Sequence, residues 1–429
     1  MPSYYIWTIG CQMNKAESQR IASYLETMGY EASAAMPDAN LIILNTCVVR
    51  RSAEEKVLGT LGYLKGLKKT RLNPSIVVTG CFVNSRIATL ERQFPHVELF
   101  FKPGEYTQLA NWAQKHDISA PSPEGPFIMP HQPSPTTFVP IIQGCNNFCS
   151  YCIVPYRRGR ERSRSPKEIT CEVEELVKCG VKEVTLLGQN VNSYGHDLSQ
   201  HASLASLLAE LNNIAGLIRI RFLTNHPKDM SLELIKTIAS LDKVCEHISV
   251  AAQAGDNAIL KAMRRGYTAE EYRQLIHTIR HCIPEVALST DVIVGFPGEI
   301  EEQFQRTSNL LDELRFDTVH VAAYSPRPGT IASRKYEDNI PAEIKRKRLH
   351  QIEERQANIA SEINSQFKGK IVEVLVESKK RDRWYGRTRT DKLVFFESED
   401  DCFGQLVKVK VDKTSPWALQ GKLTLDKGN

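Results

Sequence analysis

No run of about 18 consecutive apolar residues occurs in the 429-residue sequence, so it offers no candidate for a helix that crosses a bilayer, and no membrane partner is expected. The start, Met1 to Gly10, lacks the basic stretch and cleavage site of a secretory signal, which makes the cytoplasm the expected location. A strong charge bias is missing too. With 55 Lys and Arg against 50 Asp and Glu, the net charge of +5 is modest, and a nucleic-acid partner must be argued from where the basic residues cluster. What the chain does have is cysteine. Eleven of them without an export signal are not expected to form disulfides, because the cytosol keeps thiols reduced and favours metal-binding or catalytic uses.

A chain of this length exceeds one ordinary core, so two or three domains are expected. Residues 1–118 repeat one unit: an apolar, β-branched run, a cysteine, then a helical pattern. The runs are Tyr5-Ile-Trp-Thr-Ile9 before Cys11, Leu41-Ile-Ile-Leu44 before Cys47 and Ile76-Val-Val78 before Cys81. Each reads as a buried parallel strand. After Cys47, Ser52 and Glu55 have the spacing of a capping box that opens a helix. The expected result is a small doubly wound α/β domain, in which strand carboxyl ends face one crevice and three cysteines just past them converge. Residues 119–136 are proline-rich and aperiodic, as in a semi-rigid linker. From 137 to 367, six strand candidates (138–144, 182–188, 217–223, 245–252, 285–294 and 316–324) alternate with helical stretches. That pattern predicts an open or partial (βα)6 barrel whose working face lies at the strand carboxyl ends. Residues 368–429 carry short strand-like runs divided by turns and read as a small antiparallel β-barrel.

The strongest local signal is Cys145-Asn-Asn-Phe-Cys149-Ser-Tyr-Cys152, directly after the first barrel strand. Three thiolates at that spacing can wrap one 4Fe-4S cluster from a single loop, leaving one iron open to a small molecule. A zinc site from the same thiolates is the bland alternative, although structural zinc favours CxxC pairs and four closed ligands. Cys11, Cys47 and Cys81, taken singly, would be three buried core thiols. Their separations of 36 and 34 residues and their shared strand-end placement favour a second three-thiolate cluster. Cys171, Cys179, Cys245, Cys282 and Cys402 sit singly, and core filling is expected of each.

Thr8-Ile-Gly-Cys11-Gln-Met-Asn14, Asn45-Thr-Cys47-Val-Val-Arg50, Gly80-Cys81 and Gly144 through Tyr156 resemble the methylthiotransferase family of radical S-adenosylmethionine enzymes. The likeness continues through Leu187-Gly-Gln-Asn190, Asp291 through Glu299, Tyr324 through Thr330 and Gly386-Arg-Thr-Arg-Thr-Asp391, the last in what looks like a TRAM domain. The branch acting on N(6)-dimethylallyladenosine of tRNA is the most similar, through Val154-Pro-Tyr-Arg-Arg-Gly159 and Gly386-Arg-Thr388. Gln253-Ala-Gly-Asp256 and Thr224-Asn-His-Pro227 depart from the family's usual Gln-Ser-Gly-Ser and Thr-Ser-His-Pro. The resemblance implies two 4Fe-4S clusters, at Cys11, Cys47 and Cys81 and at Cys145, Cys149 and Cys152, with S-adenosylmethionine as cosubstrate. It further implies contacts to that cosubstrate from Gln189, Asn190, Gln253, Gly295 and Glu299.

A tRNA anticodon stem-loop is the implied partner, together with an electron donor such as flavodoxin or ferredoxin and a sulfur source. Arg157, Arg158, Arg160, Arg162, Arg164 and Lys167 oppose only Glu161 beside the radical-cluster loop, where phosphates would approach. Arg157, Arg158, Arg160 and Arg387 are the expected RNA contacts. Trp384, Tyr385, Phe395 and Phe396 interleave with the charges of the last segment and offer stacking surfaces, with core filling the expected role of Phe395. Competing readings are a methylthiotransferase for threonylcarbamoyl-adenosine in tRNA or for a ribosomal-protein aspartate and, outside the enzymes, a non-catalytic iron-sulfur RNA-binding or redox-sensing protein.

Overall fold

The computed structural model describes residues 2–49, 51–69, 73–83, 86–116, 134–199 and 202–424. Most of the expected linker, 119–133, and Arg50 of the second cysteine motif therefore lie outside the described residues. The chain forms two compact units: Met1–Pro133 with Phe138–Asn146 and Cys152–Arg162, and Ser134–Thr137 with Asn147–Tyr151 and Ser163–Asn429.

The first unit is built on a five-stranded parallel sheet. The three expected strands, Ser3–Thr8, Leu41–Thr46 and Ser75–Gly80, lie side by side at its centre. Two-residue strands Glu31–Ala32 and Leu99–Phe100, too short for a sequence pattern to reveal, add the edges. Strand Leu41–Thr46 is buried at every position, which is why its sequence reads as a continuous apolar run rather than an alternation. Helix Gln12–Thr27 follows the first strand and buries Met13, Ala16, Ile21, Tyr24 and Leu25 at helical spacing. The helix after Cys47 begins at Arg51, so Ser52 lies inside it and is not its cap; Glu55 instead pairs with Arg51 one turn earlier, at 3.0 Å.

In the second unit, strands Glu183–Leu187 and Arg219–Phe222 pair in parallel, and the chain at Pro135 bonds to Lys182 and Glu183 at their edge. Strands His247–Ser249, Ala287–Val294 and Thr318–Ala323 form a second parallel sheet. Single bridges at Ile220–Val244 and Asn225–Val250 join the two sheets, so the partial barrel continues through a loose seam between Arg219–Phe222 and His247–Ser249. Helix Ala342–Ser365 leads to a closed five-stranded barrel, Ile371–Lys380, Arg383–Arg387, Leu393–Glu397, Leu419–Leu423 and Leu406–Thr414 in spatial order. It departs from a purely antiparallel pattern at one pair, Leu393–Glu397 with Leu419–Leu423, which runs parallel. An odd number of strands closed into a ring cannot alternate direction throughout.

Candidate functional site

Cys11, Cys47 and Cys81 follow the ends of the three central strands of the first sheet, as the spacing predicts. Two glycines let them approach. A Cβ on Gly10, at φ +132°, would stand 2.8 Å from the Cys47 Cβ. One on Gly80, at φ +91°, would fall 2.3 Å from the Thr46 carbonyl oxygen, so at both places only glycine admits the neighbouring chain. The buried amide of Asn14 donates at 2.9 Å to the carbonyls of Ile9 and Thr46, and Cys81 N–H donates to Thr46 at 2.8 Å. The three cysteine-bearing turns are thus tied to one another by one side-chain amide and one backbone bond.

Against them lies Arg158, whose side chain is 2% exposed. Its Nε donates to Cys81 Sγ at 3.3 Å, its Nη1 to Glu17 at 2.6 Å and its Nη2 to Asn14 Oδ1 at 3.0 Å. Burial alone would lower the Arg158 pKa, but the charges of Glu17 and Cys81 hold it well above the ordinary value. Burial also pushes the Cys81 thiol up to about 11 against the pull of Arg158, with Cys47 adding to the rise. No group of three or more His, Cys, Asp or Glu among the described residues has the arrangement for a single metal ion. A 4Fe-4S cluster asks for something wider, since each thiolate binds a different iron. A sulfur that already accepts from a buried guanidinium suits a thiolate ligand of such a cluster.

Of the stretch carrying the three cysteines, Cys145 and Cys152 fall in the first unit and Cys149 in the second. In the first, Cys145 N–H donates to Gly159 O at 3.2 Å, and Asn146 N–H to Glu161 at 3.1 Å. In the second, Phe148 adopts φ +46°, and Ser150 is fixed by Ala262 O, Met263 O and Ala332 N–H. Arg265 donates to Cys149 Sγ at 3.3 Å, to Tyr267 Oη at 2.9 Å and to Ala251 O at 2.8 Å.

At the carboxyl ends of the barrel strands, Asn190 Oδ1, Asn225 Oδ1, His226 Nε2 and Gln253 Oε1 are buried side-chain atoms with no hydrogen-bond partner among the described residues. Thr224 and Gln253 hold φ of +71° and +67°, an uncommon conformation for residues with side chains. Buried orphan polar atoms at strand ends are what a polar cosubstrate would satisfy. Gln189 is half-buried beside them. Burial, with the nearby charges of Arg265 and Lys228, pushes His226 down to about 2, so it is neutral. Its Nδ1 accepts from Lys228 N–H at 3.3 Å, which leaves the proton on Nε2. Glu299 is a correction. Its carboxylate turns back onto Gly295 N–H at 2.6 Å and Arg348 at 2.8 Å and is 1% exposed, so it closes its own loop rather than facing a ligand.

The expected RNA contacts divide. Arg160 is exposed and Arg157 half-buried, whereas Arg158 is committed to Cys81, Glu17 and Asn14 and cannot meet a phosphate from the interior. Arg164 is paired with Glu172 at 2.5 Å. In the C-terminal barrel, strand alternation places Trp384 and Phe396 in the core and turns Tyr385 and Phe395 outward, their rings 5.8 Å apart with Arg383 over Phe395 at 5.6 Å. Phe395 is therefore not a core residue. Arg387 is partly exposed and hydrogen-bonded to Asp391 O at 3.1 Å. Its turn belongs to an interface at the amino ends of the barrel strands. Buried Arg219 donates to Arg387 O at 2.7 Å and to Glu373 at 3.0 Å, and Arg221 to Thr388 O at 2.6 Å and Arg389 O at 2.9 Å. Arg389 in turn grips both oxygens of Glu246, and Lys392 meets Asp317 at 2.7 Å.

Sequence reasoning missed Glu17, Arg265, Arg219 and Arg221, each a buried charged residue. Glu17 lies one turn after Asn14 on the inner face of its helix, which is the one signal that marks it. Of the lone cysteines, Cys245 and Cys402 are buried as expected, but Cys171 and Cys179 are exposed.

Three family models match the chain: Uncharacterized protein family UPF0004 over residues 3–102, the Radical SAM superfamily over 139–311 and the TRAM domain over 365–424. The chain is 49% identical over 423 residues to a tRNA-2-methylthio-N(6)-dimethylallyladenosine synthase of Dehalococcoides mccartyi, covering 99% of both chains. A protein of the same name from Dictyoglomus thermophilum is 46% identical, again over 99% of both. Among solved structures, the radical S-adenosylmethionine methyltransferase TsrM from Kitasatospora setae shares the fold, with a TM-score of 0.56 at 16% identity over 78% of this chain and 77% of that one. Among the described residues, no helix is long and apolar enough to cross a membrane.

Proposed function

The chain belongs to the family of the tRNA-2-methylthio-N(6)-dimethylallyladenosine synthases, radical S-adenosylmethionine enzymes, and from that premise we propose that it converts N(6)-dimethylallyladenosine next to the anticodon of tRNA into its 2-methylthio derivative. The full-length similarity to relatives of that name carries the reading. In it, Cys145, Cys149 and Cys152 hold one 4Fe-4S cluster with S-adenosylmethionine, and Cys11, Cys47 and Cys81 hold a second. Bound there, these groups supply the radical that takes a hydrogen from an aromatic carbon and the sulfur and methyl group that replace it, a conversion with no easy ionic route.

The chain's own residues bind, orient and exclude water. Gln189, Asn190, Asn225 and Gln253 offer amide groups to the cosubstrate, His226 Nε2–H adds a donor, and Gly295 shapes the loop beside them. Arg157, Arg160 and Arg387 meet RNA phosphates, and Tyr385 and Phe395 stack on unpaired bases. Residues 1–118 form the domain of the N-terminal cluster, 137–367 the radical core and 368–429 the RNA-recognition barrel. A low-potential donor such as flavodoxin or ferredoxin, a sulfur source and a cytoplasmic location complete the reading.

Mass analysis of tRNA nucleosides from cells with and without the protein tests it. The 2-methylthio derivative of dimethylallyladenosine should vanish in the deletion and return with the gene. Loss of a threonylcarbamoyl derivative, or of a ribosomal-protein modification alone, would replace the substrate; an unchanged profile with no S-adenosylmethionine cleavage would favour a non-catalytic protein.

A further inference from the structure

Arg158 stands six residues after Cys152, at the end of the short helix Val154–Arg158, yet its guanidinium bonds to Cys81, Glu17 and Asn14, an N-terminal cysteine and the residues that support that site. Building on the proposed two-cluster reading, we propose that Arg158 is a positioning residue that sets the reduction potential of the cluster held by Cys11, Cys47 and Cys81, with Glu17 as its counterweight. Cluster potentials respond to hydrogen bonds on the sulfurs, to net charge and to solvent access, and this site presents all three. The Nε–H on Cys81 Sγ favours the more negative, reduced cluster and raises its potential. Glu17, 2.6 Å from Nη1 and buried, offsets part of that charge. Asn14 accepts from Nη2 while donating to the turns of Cys11 and Cys47, so the guanidinium has one orientation. Because the same residue ends the segment that leaves Cys152, the chain length between the radical loop and the N-terminal site is fixed at six residues.

The two charges act in opposite directions, and this makes the inference testable. In anaerobically reconstituted full-length protein, the potential of each cluster is read by redox titration followed by electron paramagnetic resonance. Arg158→Gln should lower the potential of the N-terminal cluster enough to change its oxidised-to-reduced ratio at least tenfold at fixed poise, about 59 mV for one electron. Glu17→Gln, which keeps the arginine and removes only the carboxylate charge, should raise it. Arg158→Lys should recover part of the loss, since it returns charge without the planar fork. The cluster at Cys145, Cys149 and Cys152 should stay unchanged in all three variants. Potentials of the N-terminal cluster that do not move, or that move the same way in Arg158→Gln and Glu17→Gln, would overturn the inference. Should Arg158→Gln fail to hold its cluster, the sign of the Glu17→Gln shift decides. Failure of the underlying reading looks different: iron and sulfide would not fall when Cys11, Cys47 and Cys81 are replaced together.

Discussion

Cys81 and Cys149 each accept a hydrogen bond at 3.3 Å from a buried arginine, but the two arginines keep different company. Arg158 is held by the carboxylate of Glu17 and the amide of Asn14, Arg265 by the hydroxyl of Tyr267 and the carbonyl of Ala251, both neutral. The same donor on the same kind of sulfur therefore acts as a short-range hydrogen bond with a balanced charge in one place, and as a hydrogen bond with a net positive charge in the other. Geometry at the sulfur does not distinguish the two sites. Their surroundings do.

The sharpest way to separate the two regions is to remove their cysteines. Triple Ala replacement of Cys145, Cys149 and Cys152 is expected to abolish formation of 5'-deoxyadenosine and about half the bound iron. The same change at Cys11, Cys47 and Cys81 should remove the other half while leaving cosubstrate cleavage and ending methylthio transfer. Metal analysis and product assay check both, and a common outcome would erase the distinction.

Next in size is the cost of losing each arginine. Arg158→Ala strands a buried carboxylate and should cost about 3–5 kcal/mol in urea unfolding. Arg265→Ala strands only neutral acceptors and should cost about 1–3 kcal/mol. Equal costs would break the comparison.

The net charge of Arg265 also has a reporter. His226 lies edge-on to Tyr267 at 5.7 Å, and burial, then Arg265, then Lys228 depress its pKa to about 2. A group depressed in the folded state binds its proton only on unfolding, so stability is lost as pH falls from about 6.5 toward 2. At pH 5 the loss should be about 2 kcal/mol relative to pH 8. Urea midpoints at the two pH values should show that increment in the native protein and none of it in His226→Asn, while Arg265→Gln should raise the His226 pKa itself, read by NMR titration of the imidazole.

The smallest effect concerns RNA. Exposed Arg160 replaced by Ala should lower the slope of log affinity against log salt by about one unit, and buried Arg158 replaced by Gln should leave the slope alone. Filter binding across a salt series checks both, and a full unit lost with Arg158 would return it to the RNA surface.

Much of this was legible in the residue pattern because strand-end cysteines and loop spacing are local features. The three strands before Cys11, Cys47 and Cys81 and the six barrel strands follow from apolar runs that secondary structure reads directly. What escaped was long-range. Arg158 sits in a run of arginines that looks like a phosphate-binding stretch, and only contacts across 77 to 144 residues reveal that it points inward. Glu299 looked like a ligand contact because nothing in its own loop shows Arg348 arriving 49 residues later. Phe395 and Phe396 exchanged roles through the period-two alternation of one strand, where an error of one register position reverses in and out. The edge strands Glu31–Ala32 and Leu99–Phe100 carry too few residues for any period to appear.

The turn of residues 386–391 gives the order of synthesis a role in folding. Arg219 and Arg221 belong to an early strand of the barrel, and Glu183 of the neighbouring strand already meets Arg221 at 2.9 Å, but the carbonyls and carboxylate that receive their remaining donors, from Glu373 to Arg389, are translated 154 to 168 residues later. Chains fold from the amino end as they emerge, so the nascent barrel must leave to water those donors of the two guanidinium groups that Glu183 does not take until the last segment is made. A ribosome that stops after helix Ala342–Ser365 leaves a chain with its strands complete and its floor wet, marked by exposed charge as unfinished. Completion of the native state waits for the final domain, which makes the C-terminal barrel the closing step of assembly for the unit that contains it.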